Sequence, residues 1–311
     1  MSQDCLKLTA YFAERRRCGD RFLADALLDV YGRRELQASV LLRGVAGFGE
    51  SHHLRSDMLL TLSEDLPLVS IAVDTRERIE GLLGEVQALR PRGLVTLERA
   101  RMGPGELHGE TRLTVYLGRQ ERIGDRPAFV VICELLRRHG VGGATVLLGV
   151  DGTARGTRER ARFFARNAEI PMMILAVGAG ERIAEALPEL GDRLVTIERI
   201  RVCKRDGRTL AAPGQDGPLE KLMVFGADHA ELVHRLFAGG VRGVTVVRGV
   251  WGFHGDHEPH GDRLLQLRRS APAVAVIVDT PERIARAFEI VDEATPGHGL
   301  VTSELVPRRL V

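Results

Sequence analysis

The chain has no apolar run approaching the ~18–20 residues of a membrane span. Its first residues, Met1-Ser2-Gln3-Asp4, carry neither the basic nor the apolar region of a signal peptide, so cytoplasmic residence is the expectation. Cysteine is scarce. Cys5, Cys18, Cys133 and Cys203 form no CxxC pair, which argues against a disulfide framework or a zinc ribbon and leaves reduced thiols. Charge of one sign is also lacking: 44 Lys and Arg stand against 42 Asp and Glu, a formal +2, unlike a dedicated duplex-binding protein. Aromatic residues for stacking on single strands are thin, with only Phe163 and Phe164 in the arginine-rich stretch from Arg155 to Arg166, so no nucleic-acid partner is expected. No nucleophile–base–acid set stands out either. Ser51 precedes His52, but adjacency in sequence is not triad geometry, and the protein is not expected to be an enzyme.

What is present is repetition, the first signal to seek in a chain of 311 residues. Arg43-Gly44-Val45 recurs as Leu148-Gly149-Val150 and Arg248-Gly249-Val250. Glu77-Arg78-Ile79 recurs as Glu181-Arg182-Ile183 and Glu282-Arg283-Ile284. Leu94-Val95-Thr96 recurs as Leu194-Val195-Thr196 and Leu300-Val301-Thr302, each followed two residues later by an acid: Glu98, Glu198 and Glu304. Three landmarks in the same order mark three copies, read as 1–103, 110–203 and 218–311 and joined by Gly/Pro-containing linkers.

Within each copy the apolar periodicity switches between strand and helix in the order β-α-β-β-α-β. In the first helix Phe22, Leu23, Ala26, Leu27 and Val30 form a stripe, while Thr75, Thr280 and Pro281 sit where a second helix begins. The third strands, Met172–Val177 and Ala273–Val278, are continuous apolar runs rather than alternating ones, as expected of strands buried on both faces. Leaving such faces in water would forgo many kcal/mol at about 25 cal/mol per Å². The expected fold is therefore α+β, with three tandem ferredoxin-like units packed around a common axis.

The series Arg43–Gly49, Ser63–Leu68 and Val73-Asp74-Thr75 before Glu77-Arg78-Ile79 resembles the PII-like family called domain of unknown function 190. The third copy repeats it at Arg248–Phe253 and Val278–Ile284, and the second departs from it with Leu148 in place of arginine. The resemblance implies a single-chain, monomeric PII-like pseudo-trimer. It also implies a regulatory protein that binds a small anionic ligand, an adenine nucleotide foremost, in clefts between units. Loops between the second and third strands would relay that occupancy, with a membrane transporter or channel (a fluoride channel among them) as the implied partner.

Candidate ligand-binding residues follow from the motifs and from this resemblance. Arg43, Gly47 and Gly49, with Arg248 and Gly252, belong to the family series at the end of the second strand. Glycine there permits tight turns and close approach. Arg99, Arg101, Arg199 and Arg201 end the fourth strands, and Arg92 and Arg193 precede those strands. The guanidinium fork matches two phosphate oxygens. A second reading uses His254, His257 and His260, at three-residue spacing beside Asp256 and Glu258, as copper or zinc ligands. That set is similar to the CutA-like ferredoxin-like trimers linked to copper tolerance. The connection before the first helix is long in copies one and two and nearly absent in copy three, around Ala227-Asp228-His229. Three unequal clefts are therefore expected.

Overall fold

The computed structural model describes residues 3–49, 53–57, 65–103, 105–154, 157–160, 170–255, 260–261, 272–297 and 299–310, with backbone alone at 154, 157–160 and 260–261. Ser51, His52, His257 and most of the arginine-rich stretch of the second repeat lie outside the described residues.

The first repeat contributes β1 (Gln3–Ala13), α1 (Leu23–Arg33), β2 (Ala38–Phe48), β3 (Pro67–Thr75), α2 (Arg76–Ala88) and β4 (Leu94–Met102). The second contributes β5 (Glu110–Gly118), α3 (Ala128–Arg138), β6 (Gly143–Leu148), β7 (Asp151–Ala154), β8 (Pro171–Ala179), α4 (Gly180–Ala186), β9 (Val195–Arg199) and β10 (Arg201–Arg205). The third adds β11 (Leu219–Phe225), α5 (His229–Ala238), β12 (Val244–His254), β13 (Ala273–Asp279), α6 (Pro281–Ala294), β14 (Leu300–Val306) and β15 (Arg308–Arg309).

Local chemistry sets the helix starts. The Thr75 hydroxyl accepts from the Arg78 amide at 3.4 Å, satisfying one of the free N–H groups of α2. Asp228 accepts from the Ala230 and Glu231 amides to start α5, and Pro281 opens α6, where no amide donor is needed. The strands bury both faces, as the apolar runs imply. In β8, Met172, Ile174 and Ala176 pack under the helices of their own repeat. Met173, Leu175 and Val177 join a central cluster that also holds Val40, Ile71, Met102, Val202, Met223 and Val274, so all three repeats meet there.

The expectation of three ferredoxin-like units, each with its own sheet and meeting as a PII-like pseudo-trimer, is overturned by the strand pairing. One sheet of 19 strands runs through the whole chain. Within it a closed antiparallel path passes from β2 to β12, β6, β8, β5, β9, β4, β1 and β3 and back to β2, a barrel of nine strands. The cause lies at the strand edges. A unit standing alone would end in strands with unpaired N–H and C=O groups. Here β2 pairs with β3 over Ala38–Arg43, then runs on to pair with the start of β12 over Gly44–Phe48. The end of β12 pairs likewise with β6, and β7 pairs with the start of β2. Fourth strands join too, through Thr196 with Met102, Arg201 with Ser303, and Arg308 with Leu97.

These crossings explain three glycines. A Cβ at Gly47, Gly152 or Gly252 would strike the backbone oxygen of Val244, Ser39 or Ala144, each on the strand of the adjacent repeat. Two sequence candidates, Gly47 and Gly252, thus first serve the close approach of neighbouring strands.

Candidate functional site

Where the three repeats meet, six ionisable side chains form a closed ring of alternating sign. Lys7 contacts Glu98 at 3.0 Å and also Glu198; Arg112 contacts Glu198 at 3.0 Å and Glu304 at 2.5 Å; Lys221 contacts Glu304 at 2.6 Å and Glu98 at 2.5 Å. Strand register creates half of these contacts, because Lys7 lies opposite Glu98, Arg112 opposite Glu198, and Lys221 opposite Glu304. Closure of the repeats on one another supplies the other half. All six residues are buried. Burial works to raise the Glu98 and Glu198 carboxyls, but the surrounding Lys and Arg charges outweigh it and hold both below the usual carboxylate range. Lys7 is held protonated in turn, its two carboxylates overcoming the cost of burial. The three carboxylates have oxygens within 4.8 Å of one another, the spacing of a metal site, but three protein cations already sit between them. The ring is a buried ionic lock on the way the repeats assemble.

The lock is built alike in all three repeats; the seams around it are not. A cleft of about 450 Å³ lies between the second and third repeats. Leu175, Val177, Phe225 and Phe253 give it apolar walls, and Arg248, His229 and His254 give it polar groups. Burial lowers the pKa of His229, helped by the Arg248 charge. His254 Nε2 lies 2.6 Å from Asp206, in the linker between the second and third repeats.

The sequence candidates divide sharply by seam. In the first repeat a hairpin with arms Arg17–Cys18 and Arg21–Phe22 fills the connection between β1 and α1. Glu14, at the start of that connection, accepts from Arg43 Nε and Nη2, both at 2.9 Å. The second repeat has a matching hairpin, Arg122–Ile123 with Arg126–Pro127, and its Glu121 takes Arg193 at 2.8 Å. The third repeat has no such hairpin, since α5 begins three residues after Gly226. Among the described residues, its Arg248 has a 3.6 Å contact to Asp57 as its ion pair. Arg92 is exposed, and a Cβ at Gly49 would meet nothing within 4 Å.

Arg99, Arg101, Arg199 and Arg201 do not reach this cleft. They line a second cavity of about 720 Å³, whose floor includes Glu98, Glu198 and Glu304 of the ring. Of the proposed metal ligands, His254 is described with Asp206 as its partner; His257 and the side chain of His260 lie outside the described residues. The four cysteines are free, and burial pushes the Cys5 and Cys133 thiols up to about 12. Among the described residues, no helix is long and apolar enough to cross a membrane.

The ring was only half legible. Its acids are landmarks of the repeat, whereas Lys7, Arg112 and Lys221 belong to none of the three recurring motifs. Their signal is a lone cation at the same point of each first strand.

Comparison with known proteins agrees with the threefold organisation. Two curated relatives from Aquifex aeolicus (strain VF5), each named UPF0166 protein, are 33% and 31% identical to this chain over 72 and 67 residues. The matches cover 23% and 22% of this chain but 68% and 70% of the relatives, so one relative corresponds to one repeat. A family model described as Uncharacterized ACR, DUF190, matches residues 5–102, 110–202 and 227–308. With three copies covering most of its length, the chain belongs to the DUF190 family.

Proposed function

We propose that this protein is a regulatory binding protein whose cleft between the second and third repeats takes a small anionic ligand, an adenine nucleotide foremost. The observation that carries this reading is the fate of one arginine position. Arg43 is held by two hydrogen bonds to Glu14, whereas Arg248 opens onto a cavity with, among the described residues, only a 3.6 Å contact to Asp57. A guanidinium without a close carboxylate partner is ready to receive phosphate oxygens. The apolar walls suit a flat heterocycle, and the volume falls within the ~300–1,000 Å³ of small-molecule sites. Gly143, Gly226 and Gly299 line the same space and let a ligand approach the backbone.

Occupancy would pass to a partner through the segments that follow the second strands, the nearest of which begins at the His254 edge of the cleft. A membrane transporter or channel as that partner rests on the family resemblance alone.

A thermal-shift panel with AMP, ADP and ATP tests the reading. Ligand at about 100 times its dissociation constant is expected to add about 2.7 kcal/mol of stability. Arg248→Ala is expected to abolish the shift. A flat panel, or a shift that survives Arg248→Ala, would contradict the proposal.

A further inference from the structure

The first helices of the three repeats differ in the residue that opens them. α1 opens at Leu23 and α3 at Ala128, both buried and apolar. α5 opens at His229, which is half-buried and lines the cleft together with Arg248. The repeat that lacks the hairpin therefore also carries an imidazole where the other two carry an apolar side chain.

The charges that act on His229 come from three places. Arg248 lies on β12, Asp228 caps α5, and Asp57 belongs to the segment after β2 of the first repeat. Among the described residues, α6, β2 and β13, which also pack on α5, present no charge that acts on the imidazole. Arg248 is offset by Asp57 at 3.6 Å, and the Asp228 carboxylate accepts from the Ala230 and Glu231 amides. His254, the other imidazole of the cleft, faces Asp206. Without ligand the cleft thus carries little net positive charge. Burial and the Arg248 charge hold His229 neutral at pH 7, and its place at the positive end of α5 works in the same direction. A phosphate entering beside Arg248 reverses the balance, because an opposite charge within ~4–6 Å favours the protonated imidazole.

We infer that His229 is the proton-accepting partner of Arg248 in this cleft, and that the cleft takes a phosphate monoester, bound as its dianion together with one proton. The inference rests on the anion reading of the cleft and adds the form of the ligand and its dependence on pH. Arg248 supplies one fixed positive charge and the His229 imidazolium a second, which together match the two charges of a terminal phosphate. A singly charged anion needs only Arg248 and draws no proton. Affinity for a monoester therefore rises as pH falls from about 8.5 to about 7, and the gain ends near pH 6, where the phosphate itself gains a proton.

Titration calorimetry with AMP at pH 7.5, run in two buffers of different ionisation enthalpy, counts the protons taken up. The parent is expected to take up roughly half a proton or more per AMP. His229→Gln keeps a hydrogen-bond donor but cannot titrate in this range. It is expected to bind AMP several-fold more weakly, with uptake near zero and an affinity that stays flat from about pH 7 to about pH 8.5. AMP binding to the parent with the same heat in both buffers overturns this inference and leaves the anion reading standing. No AMP binding in either buffer overturns both. Uptake that persists in His229→Gln places the proton elsewhere and overturns the assignment as well.

Discussion

The first and third repeats carry an arginine at the same point of the second strand, and the two residues have opposite surroundings. Arg43 is clamped by Glu14 from the connection that leads into a hairpin; Arg248 faces a cavity, and its repeat has no hairpin at the corresponding connection. The scaffold beneath them is shared, down to the glycine that lets the adjacent strand cross. Fusing three copies into one chain lets a single copy lose a segment without altering the others, whereas a homotrimer of identical chains changes at every seam together. The comparison separates what all seams need, the charge ring and the strand crossings, from what one seam has been given.

The largest expected effect comes from the shared part. Glu198→Gln leaves Lys7 and Arg112 buried with one carboxylate each, and is expected to cost about 3–5 kcal/mol in urea denaturation. A cost below about 1 kcal/mol would mean that the ring does not hold the repeats together. Acid tests the same lock. Glu98 and Glu198 are held below their unfolded values near 4.5, so their stabilisation is complete above that pH and is lost as pH falls through the lower, folded values. The urea midpoint is expected to hold steady from about pH 7 to pH 5 and to fall below about pH 4.5; a steady decline between pH 7 and pH 5 would point to other groups.

The next effect belongs to the seam that differs. Grafting Arg15–Phe22 between Ala227 and Asp228 gives the third repeat the hairpin of the first. It is expected to weaken nucleotide binding at least tenfold while the thermal transition of the unliganded protein stays cooperative. Undiminished binding would show that the missing hairpin is not what opens the cleft. The smallest effect contrasts the two arginines directly. Arg43→Ala breaks a half-exposed bidentate pair and is expected to cost up to about 1 kcal/mol. Arg248→Ala is expected to stay within about 0.5 kcal/mol of the parent in the absence of ligand. Equal costs would remove the distinction.

Much of this was legible in the sequence, and the remainder has a physical reason for being hidden. The repeats showed because landmarks recur in register, and the doubly buried strands showed because Met172–Val177 has no polar alternation. Alternation reports which face a residue occupies but not which edge its strand pairs with, so the single closed barrel was missed. For the same reason Gly47 and Gly252 read as ligand glycines, when the first groups against them are backbone oxygens of the next repeat. Arg43 and Arg193 read as ligand arginines because Glu14 and Glu121 approach them only through the fold. Arg99, Arg101, Arg199 and Arg201 line one cavity and Arg248 another, a division that the sequence does not show. The short connection at Ala227-Asp228-His229 was visible as a difference in length, and the open cleft lies against it.

The unequal seams are tested most directly by the number of nucleotides that one chain holds. Native mass spectrometry of the parent and of Arg248→Ala, each with a saturating adenine nucleotide, counts them. One Arg248-dependent nucleotide per chain is the expected result; three equivalent nucleotides per chain, or a count that Arg248→Ala leaves unchanged, would contradict it.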